Sequence, residues 1–263
     1  MSTPAIPSTF PPVPETTQDL TRLTPVDWQA VIQGAPEAAV HWMLQVARLG
    51  QADAQTVLGQ WLLNGHGLAR NPADALAWFL KAATQGHAMG MNMAGRCFEN
   101  GWGTAADTFV AVNWYRQAAH KGLDAGMYNY ANLLATGKSV TQDHAQALAW
   151  YRKAAAMGHA KSMTKIGRYY EDGLVEPKDV ETAFQYFEKG ARGGDFRGQF
   201  NFAGMLAARG QLDEALVWLR KVPLTATPAY RLEAGQLLLQ SAHPGFRDIG
   251  QQMLDSLAAT EPS

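Results

Sequence analysis

Residues 143–158 read DHAQALAWYRKAAAMG, and this stretch decides the fold because three other stretches repeat its pattern at intervals of 36 residues. The copies are NPADALAWFLKAATQG at 71–86, DTFVAVNWYRQAAHKG at 107–122 and DVETAFQYFEKGARGG at 179–194. In each copy an Ala, an aromatic pair, a small pair and a closing Gly are spaced three or four residues apart, which places them on one face of a helix. The opening Asn or Asp is a good N-cap, and the closing Gly is a good helix terminator.

The residues ahead of each copy predict a second helix. Before the first copy, the apolar residues Ala54, Leu58, Trp61 and Leu62 share a helical face, and Gly65 follows them. A glycine recurs at this place in the later blocks, at Gly101, Gly137 and Gly173. Each block is therefore predicted to be a helix hairpin, and consecutive hairpins that stack on one another predict an all-α repeat protein.

The same pattern sets the domain organisation. A single solenoid domain is predicted over 24–260, where Thr24 is the first N-cap and Pro25 the first helical residue. It comprises a partial repeat at 24–50, full repeats at 51–86, 87–122, 123–158 and 159–194, a shortened repeat at 195–221 and capping helices at 228–259. Residues 1–23 hold five prolines among small polar residues, and this composition predicts a disordered Pro-rich tail.

The composition argues against several classes of protein. Among 263 residues the formal net charge is −1, without the basic excess that is typical of a nucleic-acid-binding protein. The single cysteine, Cys97, cannot form an internal disulfide or supply a thiolate metal cluster. The sequence has neither a signal-like N-terminus nor an apolar run long enough for a membrane span. We therefore predict a cytoplasmic protein without a membrane span.

The blocks resemble the Sel-one-like repeat, a longer relative of the tetratricopeptide repeat. Leu58-Gly59, Gly65-His66-Gly67 and the stretch 143–158 carry the resemblance, which covers about 25–221. Ser139 and Val175 depart from it, because they replace the second loop glycine. The resemblance implies an α/α right-handed superhelical solenoid with a concave groove lined by the first helices, and a role as an adaptor. It brings no catalytic residues with it.

Several residues are of types that can bind a metal, act as a nucleophile or stack on a ligand, and each also fits a structural role. His87 and His159 share one position of the repeat, and no histidine has metal-ligand spacing. Cys97 lies in an apolar helical stripe, which favours a buried, inert thiol. The tryptophans and tyrosine that recur in each block, Trp114 and Trp150 among them, are interpreted as core and not as a ligand-stacking site. We therefore predict no catalytic residue, no metal site and no cofactor.

One face of the first helices is the candidate partner-binding surface. Its positions lie four and three residues apart, off the apolar stripe, and they vary in residue type between blocks. Asn, Arg and aromatic side chains of this kind are used at recognition surfaces, although an ordinary solvated face is an equal alternative. Within this face, Glu99 and Glu171 are expected to hold Arg96 and Arg168 in place. The predicted groove residues are Asn92, Arg96, Glu99, Tyr128, Asn132, Thr164, Arg168 and Glu171.

These observations predict a non-enzymatic scaffold or adaptor that binds a partner protein or peptide in the groove, as a monomer or weak homodimer. Two other classes of function stay open. A small-ligand sensor would use the same groove and its arginines. A hydrolase sited in the groove is less favoured, because no set of acid, base and nucleophile accompanies the repeats.

Overall fold

The computed structural model describes residues 10–258, and this part of the chain is helical without a strand. The chain divides into two compact units, Met1–Gln142 and Asp143–Ser263. The helices of the first unit are α1 (Thr17–Leu20), α2 (Pro25–Gln33), α3 (Pro36–Arg48), α4 (Ala52–Asn64), α5 (Pro72–Thr84), α6 (Ala88–Asn100), α7 (Thr108–His120) and α8 (Asp124–Thr136). Consecutive helices pack on each other, α4 on α5 and α6 on α7 for example, so the predicted class of an all-α repeat of helix hairpins is confirmed.

The second unit continues the hairpins. Its helices are α9 (His144–Ala156), α10 (Ala160–Asp172), α11 (Val180–Arg192), α12 (Phe196–Ala208), α13 (Leu212–Leu219), α14 (Val222–Thr225), α15 (Pro228–Leu239) and α16 (Pro244–Ala258). Helices α10 and α11 pair within one repeat, and α12 pairs with the shortened α13. Helices α15 and α16 pair where capping helices were expected, whereas the single turn of α14 was not predicted.

Local sequence explains where the helices of each repeat begin and end. In the second helices, the side chains of Asp107 and Asp143 accept hydrogen bonds from backbone N–H groups three residues on, at 3.1 and 2.8 Å. Such caps satisfy amides that have no partner inside the helix. The first helices α4, α6, α8 and α10 all end on a glycine in the left-handed region, with φ between 69° and 76°. The opening caps and closing glycines that the sequence predicts are therefore confirmed.

The core contains the second aromatic residue of each pair. We call Phe79, Tyr115, Tyr151 and Phe187 the inner aromatic column, and all four are almost completely buried. The preceding residues form the outer aromatic column: Trp78, Trp114, Trp150 and Tyr186. Trp78, Trp114 and Tyr186 are only half-buried, and Trp150 is buried at 9% exposure. The prediction that Trp114 occupies a core position is therefore corrected: its partly exposed ring only borders the core.

Lysine ammonium groups lie over three rings of the outer aromatic column, Trp78, Trp150 and Tyr186. The ammonium groups of Lys81 and Lys153 lie 4.0 and 4.1 Å from the ring centroids of Trp78 and Trp150. Each lysine follows its tryptophan by three residues, so one turn of helix brings the cation over the ring face. The outer column therefore lies at the border between core and solvent.

A glycine in the first helix makes room for three of the four inner aromatic rings, whereas Ala131 occupies the equivalent position in the repeat that contains Tyr151. A Cβ at Gly95 would lie 2.8 Å from carbons of the Tyr115 ring, and one at Gly167 would lie 2.8 Å from the Phe187 ring. Gly59 has the same relation to Phe79. These distances are shorter than ordinary van der Waals contact, so in these three hairpins a glycine is needed for the two helices to approach as they do.

Gly95→Ala is therefore expected to destabilise the protein by about 1–3 kcal/mol through overpacking against the Tyr115 ring. The matched control is Gly204→Ala, because Gly204 is also inside a helix but a Cβ there meets nothing within 4 Å. That change should stabilise the protein by roughly 0.5–1 kcal/mol through helix propensity. Urea denaturation measures both, and a Gly95→Ala variant as stable as the parent would contradict the close approach.

The N-terminal segment differs from the flexible tail predicted for 1–23. Over 10–23 the chain packs on the first unit: Pro11 and Pro14 are buried, and Val13, Leu20 and Leu23 contact its core. The indole nitrogen of Trp42 donates a hydrogen bond to the carbonyl oxygen of Pro12 at 3.0 Å. Proline favours extended backbone, whose carbonyls are open to such a donor. The prediction is therefore corrected for 10–23, and residues 1–9 lie outside the described part.

Candidate functional site

The structure sorts the predicted groove residues by exposure. Asn92 and Thr164 are only 4% and 5% exposed. The amide oxygen of Asn92 accepts a hydrogen bond from Asn129 at 2.9 Å, and the Thr164 hydroxyl donates to the carbonyl oxygen of Ala160. The Asn92 side chain therefore bonds between helices and the Thr164 side chain within its helix. Neither belongs to the surface that a partner could touch. Tyr128 and Asn132, on α8, are half-buried.

Arg96 is exposed on α6, but its neighbours differ from those expected. Its guanidinium carbon lies 5.1 Å from the centroid of the Trp102 ring, an arrangement that favours a cation. Glu99 was expected to hold Arg96, yet its carboxylate accepts a hydrogen bond of 2.6 Å from the hydroxyl of Tyr115. Burial, and then this carboxylate, raise the pKa of Tyr115, so the hydroxyl keeps its proton. Trp102, in the loop after α6, therefore positions Arg96.

Arg168 occupies the equivalent position on α10 in the second unit, and it is also exposed. Its Nη1 lies 2.6 Å from the carboxylate of Glu171, so here the structure contains the predicted pair. A second guanidinium nitrogen lies 3.5 Å from the side-chain oxygen of Asn201. An exposed pair of this kind contributes little to stability, so its main effect is to orient the guanidinium.

Two other potentially reactive side chains, those of His87 and Cys97, have structural roles. His87 caps α6: its Nδ1 lies 3.2 Å from the amide nitrogen of Gly90 and 3.0 Å from the hydroxyl of Thr56. Its Nε2 lies 3.0 Å from the carboxylate of Asp53. Cys97 is buried, and burial raises the pKa of its thiol to about 11, which keeps it protonated and unreactive.

Two absences among residues 10–258 concern a metal site and a membrane span. Within this range, no three His, Cys, Asp or Glu side chains are grouped so as to hold a metal ion. No helix of the same range is long and apolar enough to cross a membrane.

Sequence reasoning missed a group of residues beside Arg168. Arg197 on α12 packs over the rings of Phe196 and Tyr230, at 4.6 and 5.1 Å from their centroids. Lys165 on α10 is half-buried nearby, and its pKa is lowered by burial and then by the positive charges of Arg197 and Arg168. Arg197 occupies the position of Lys161 in the preceding repeat, which is not one of the predicted groove positions, and Tyr230 lies in a capping helix outside the repeats.

The helix hairpins repeat every 36 residues, contain glycines in the left-handed region and enclose the inner aromatic column. These features define the class as an α-helical repeat protein. The model of the Sel1 repeat matches residues 31–51, 52–87, 88–123, 124–159 and 160–195. The chain therefore belongs to the Sel1 repeat family, as its resemblance indicated. Proteins with these repeats generally act as scaffolds for protein interactions. No curated protein matches this chain in sequence.

Solved structures share the fold. A Sel1 repeat protein from Oxalobacter formigenes has a TM-score of 0.71 and 24% identity, covering 86% of this chain and 94% of the other. The protective antigen c5321 of uropathogenic Escherichia coli has a TM-score of 0.64 and 22% identity, over 93% of this chain and 55% of the antigen. The immunity protein Pa5087 of Pseudomonas aeruginosa has a TM-score of 0.56 and 16% identity, over 80% and 81%. At these identities the likeness concerns the fold alone.

Proposed function

We propose that the protein is a non-enzymatic scaffold that binds a partner protein or peptide on the exposed face of its first helices. The observation that carries this proposal is the pair Arg96 and Arg168. They occupy equivalent positions of two repeats, both are exposed, and each is oriented by a neighbouring side chain. Oriented arginines are common anchors of protein interfaces, because the planar guanidinium donates several hydrogen bonds with little loss of entropy.

We also propose that the chain has no catalytic activity and uses no cofactor. The support comes from what the reactive groups do. The imidazole of His87 caps a helix, and the carboxylate of Glu99 accepts from a tyrosine hydroxyl. The raised pKa of Cys97 removes the thiolate that a nucleophile would need. These groups keep repeats in register, which is a structural task shared by successive hairpins.

The test begins with a pulldown that uses the full chain under native conditions and identifies a protein recovered in fixed ratio. The double variant Arg96→Ala, Arg168→Ala is then titrated against that protein at constant salt. Removing both arginines of the proposed face should weaken binding by about 1–3 kcal/mol, roughly 5- to 150-fold. Thermal unfolding should be almost unchanged, because both side chains are exposed.

The matched control is Arg116→Ala, Arg192→Ala, which removes the same charge from exposed second-helix positions. Among the described residues, the Arg116 side chain donates to Asn113 on its own helix, and the Arg192 side chain pairs with Glu188 on its own helix. Binding by this control should equal that of the parent chain. Equal loss in both double variants would contradict the proposed face, and parent-like affinity in the first variant would do the same.

A further inference from the structure

Three cations meet on the second unit. Lys165 and Arg168 are one turn apart on α10, and Arg197 comes from the first turn of α12, which packs against α10. We call these three residues the basic cluster. Arg168 has its acceptors in Glu171 and Asn201. Lys165 and Arg197 have no hydrogen-bond acceptor and no ion-pair partner anywhere in residues 10–258. Two of the three charges in the basic cluster are therefore unneutralised.

Aromatic rings fix the position of Arg197. Its guanidinium lies over both Phe196 and Tyr230, whose ring centroids are 4.8 Å apart. Phe200 also contacts Tyr230, with ring centroids 6.0 Å apart and the rings nearly perpendicular. Stacking of this kind leaves the guanidinium edge, which carries the N–H donors, open to an acceptor. Arg197 is thus presented by a rigid support, and little entropy is lost when an anion binds it.

Lys165 is held in an unfavourable electrostatic environment. Burial lowers the pKa of its ammonium group most, and the positive charges of Arg197 and Arg168 lower it further. The negative charge of Asp195 raises this pKa, but among the described residues Asp195 forms no ion pair with Lys165. A ligand carboxylate placed between Lys165 and Arg197 would relieve this repulsion, because it supplies the missing negative charge.

Asp195 offers a second kind of contact beside the basic cluster. It is only 5% exposed and caps α12, where one carboxylate oxygen accepts from the amide of Gly198 at 3.1 Å. The other oxygen is buried and accepts no hydrogen bond. Buried polar atoms are normally satisfied, so an unused acceptor marks a place where a donor is missing. An extended peptide supplies both missing groups, since its backbone N–H groups donate and its acidic side chains accept.

We propose that the basic cluster, with Asp195 and Tyr230, binds an acidic segment of the partner protein, in extended conformation. Carboxylates of Asp or Glu side chains pair with Lys165 and Arg197, and the Tyr230 ring forms the wall beside them. This inference rests on the proposed scaffold function and extends the face marked by Arg168. Charge complementarity selects the occupant, because the two free cations exceed what the cap carboxylate can neutralise.

The test uses NMR on the full chain and three four-residue probe peptides. Tetraglutamate and its neutral counterpart tetraglutamine have both ends blocked, whereas tetra-alanine has a blocked N-terminus and a free C-terminal carboxylate. Tetraglutamate should shift the side-chain resonances of Lys165 and Arg197 in a saturable way and raise the pKa of Lys165. Lys165→Gln and Arg197→Gln should each weaken its binding at least about fivefold, in keeping with a lost charged contact. Lys189→Gln, which removes an equal charge from the exposed surface of α11, should not.

Several results would overturn the inference. They are absence of saturable shifts with tetraglutamate, equal binding of tetraglutamine, or equal loss of affinity in Lys189→Gln. If tetra-alanine with its free carboxylate bound more tightly than tetraglutamate, the ligand of the basic cluster would be a C-terminal carboxylate and not an acidic segment. Failure of the scaffold function has a separate signature. In that case no partner depends on Arg96 and Arg168, whatever the tetraglutamate peptide does.

Discussion

Phe187→Ala is expected to lower the free energy of unfolding of the second unit by about 3–5 kcal/mol, the range for a fully buried phenylalanine. Phe187 is 0% exposed and packs over Gly167 on the facing helix. Because a glycine has no side chain to move into the space, the cavity left by the ring cannot be filled from that side. The loss should therefore lie toward the upper part of the range.

Tyr186→Ala is the matched control, one residue earlier on the same helix. Tyr186 is half-buried, stacks on Tyr170 with centroids 6.0 Å apart and is covered by Lys189. Its truncation should cost only about 1–2 kcal/mol, because much of the ring already contacts solvent. Chemical denaturation followed by circular dichroism gives both values. A Tyr186 variant less stable than the Phe187 variant would show that the outer aromatic column forms the core instead.

This contrast shows where the sequence was sufficient and where it was not. The 36-residue period, the caps and the closing glycines are local features, and they predicted the hairpins correctly. The two aromatic residues of each pair are consecutive, so their side chains point about 100° apart around the helix. Either one could face the core, because the apolar stripe is broad enough for both. Gly59, Gly95 and Gly167 indicate which aromatic residue faces the core, because each leaves space for a ring on the facing helix. Their role becomes visible only when the partner helix is placed against them.

The candidate site was predictable in part for a related reason. Helical spacing placed Arg96 and Arg168 at equivalent positions, and both are exposed, but it also included Asn92 and Thr164, which are buried. Each first helix contacts neighbours on more than one side, so its solvent-facing strip is narrower than a spacing of three and four residues indicates. Arg197 was not found in this way because its position, equivalent to Lys161, is not one of the three chosen for the groove face. Tyr230 was not found because its capping helix does not share the 36-residue period.

The second large effect is expected at the N-terminus. A chain that starts at residue 24 should lose about 2–4 kcal/mol of stability in the first unit, compared with a chain that starts at residue 10. Three aliphatic side chains, Val13, Leu20 and Leu23, pack against the core, and each contributes roughly 1 kcal/mol when half-buried. The deletion also removes the Pro12 carbonyl that accepts from Trp42, which is itself completely buried. The ordering entropy of the segment reduces the sum.

The two start points separate the contacts of 10–23 from any effect of residues 1–9. Urea denaturation followed by tryptophan fluorescence reports on the first unit directly, since Trp28 and Trp42 stack edge to face at 5.1 Å beside the segment. The variant Leu20→Ala in the chain from residue 10 serves as an intermediate, with an expected loss of about 1 kcal/mol. Equal unfolding midpoints for the two truncated chains would contradict the packing of the segment. A graded loss would show that a proline-rich stretch closes the N-terminal end of the repeats, where no preceding hairpin covers α2 and α3 within the described residues.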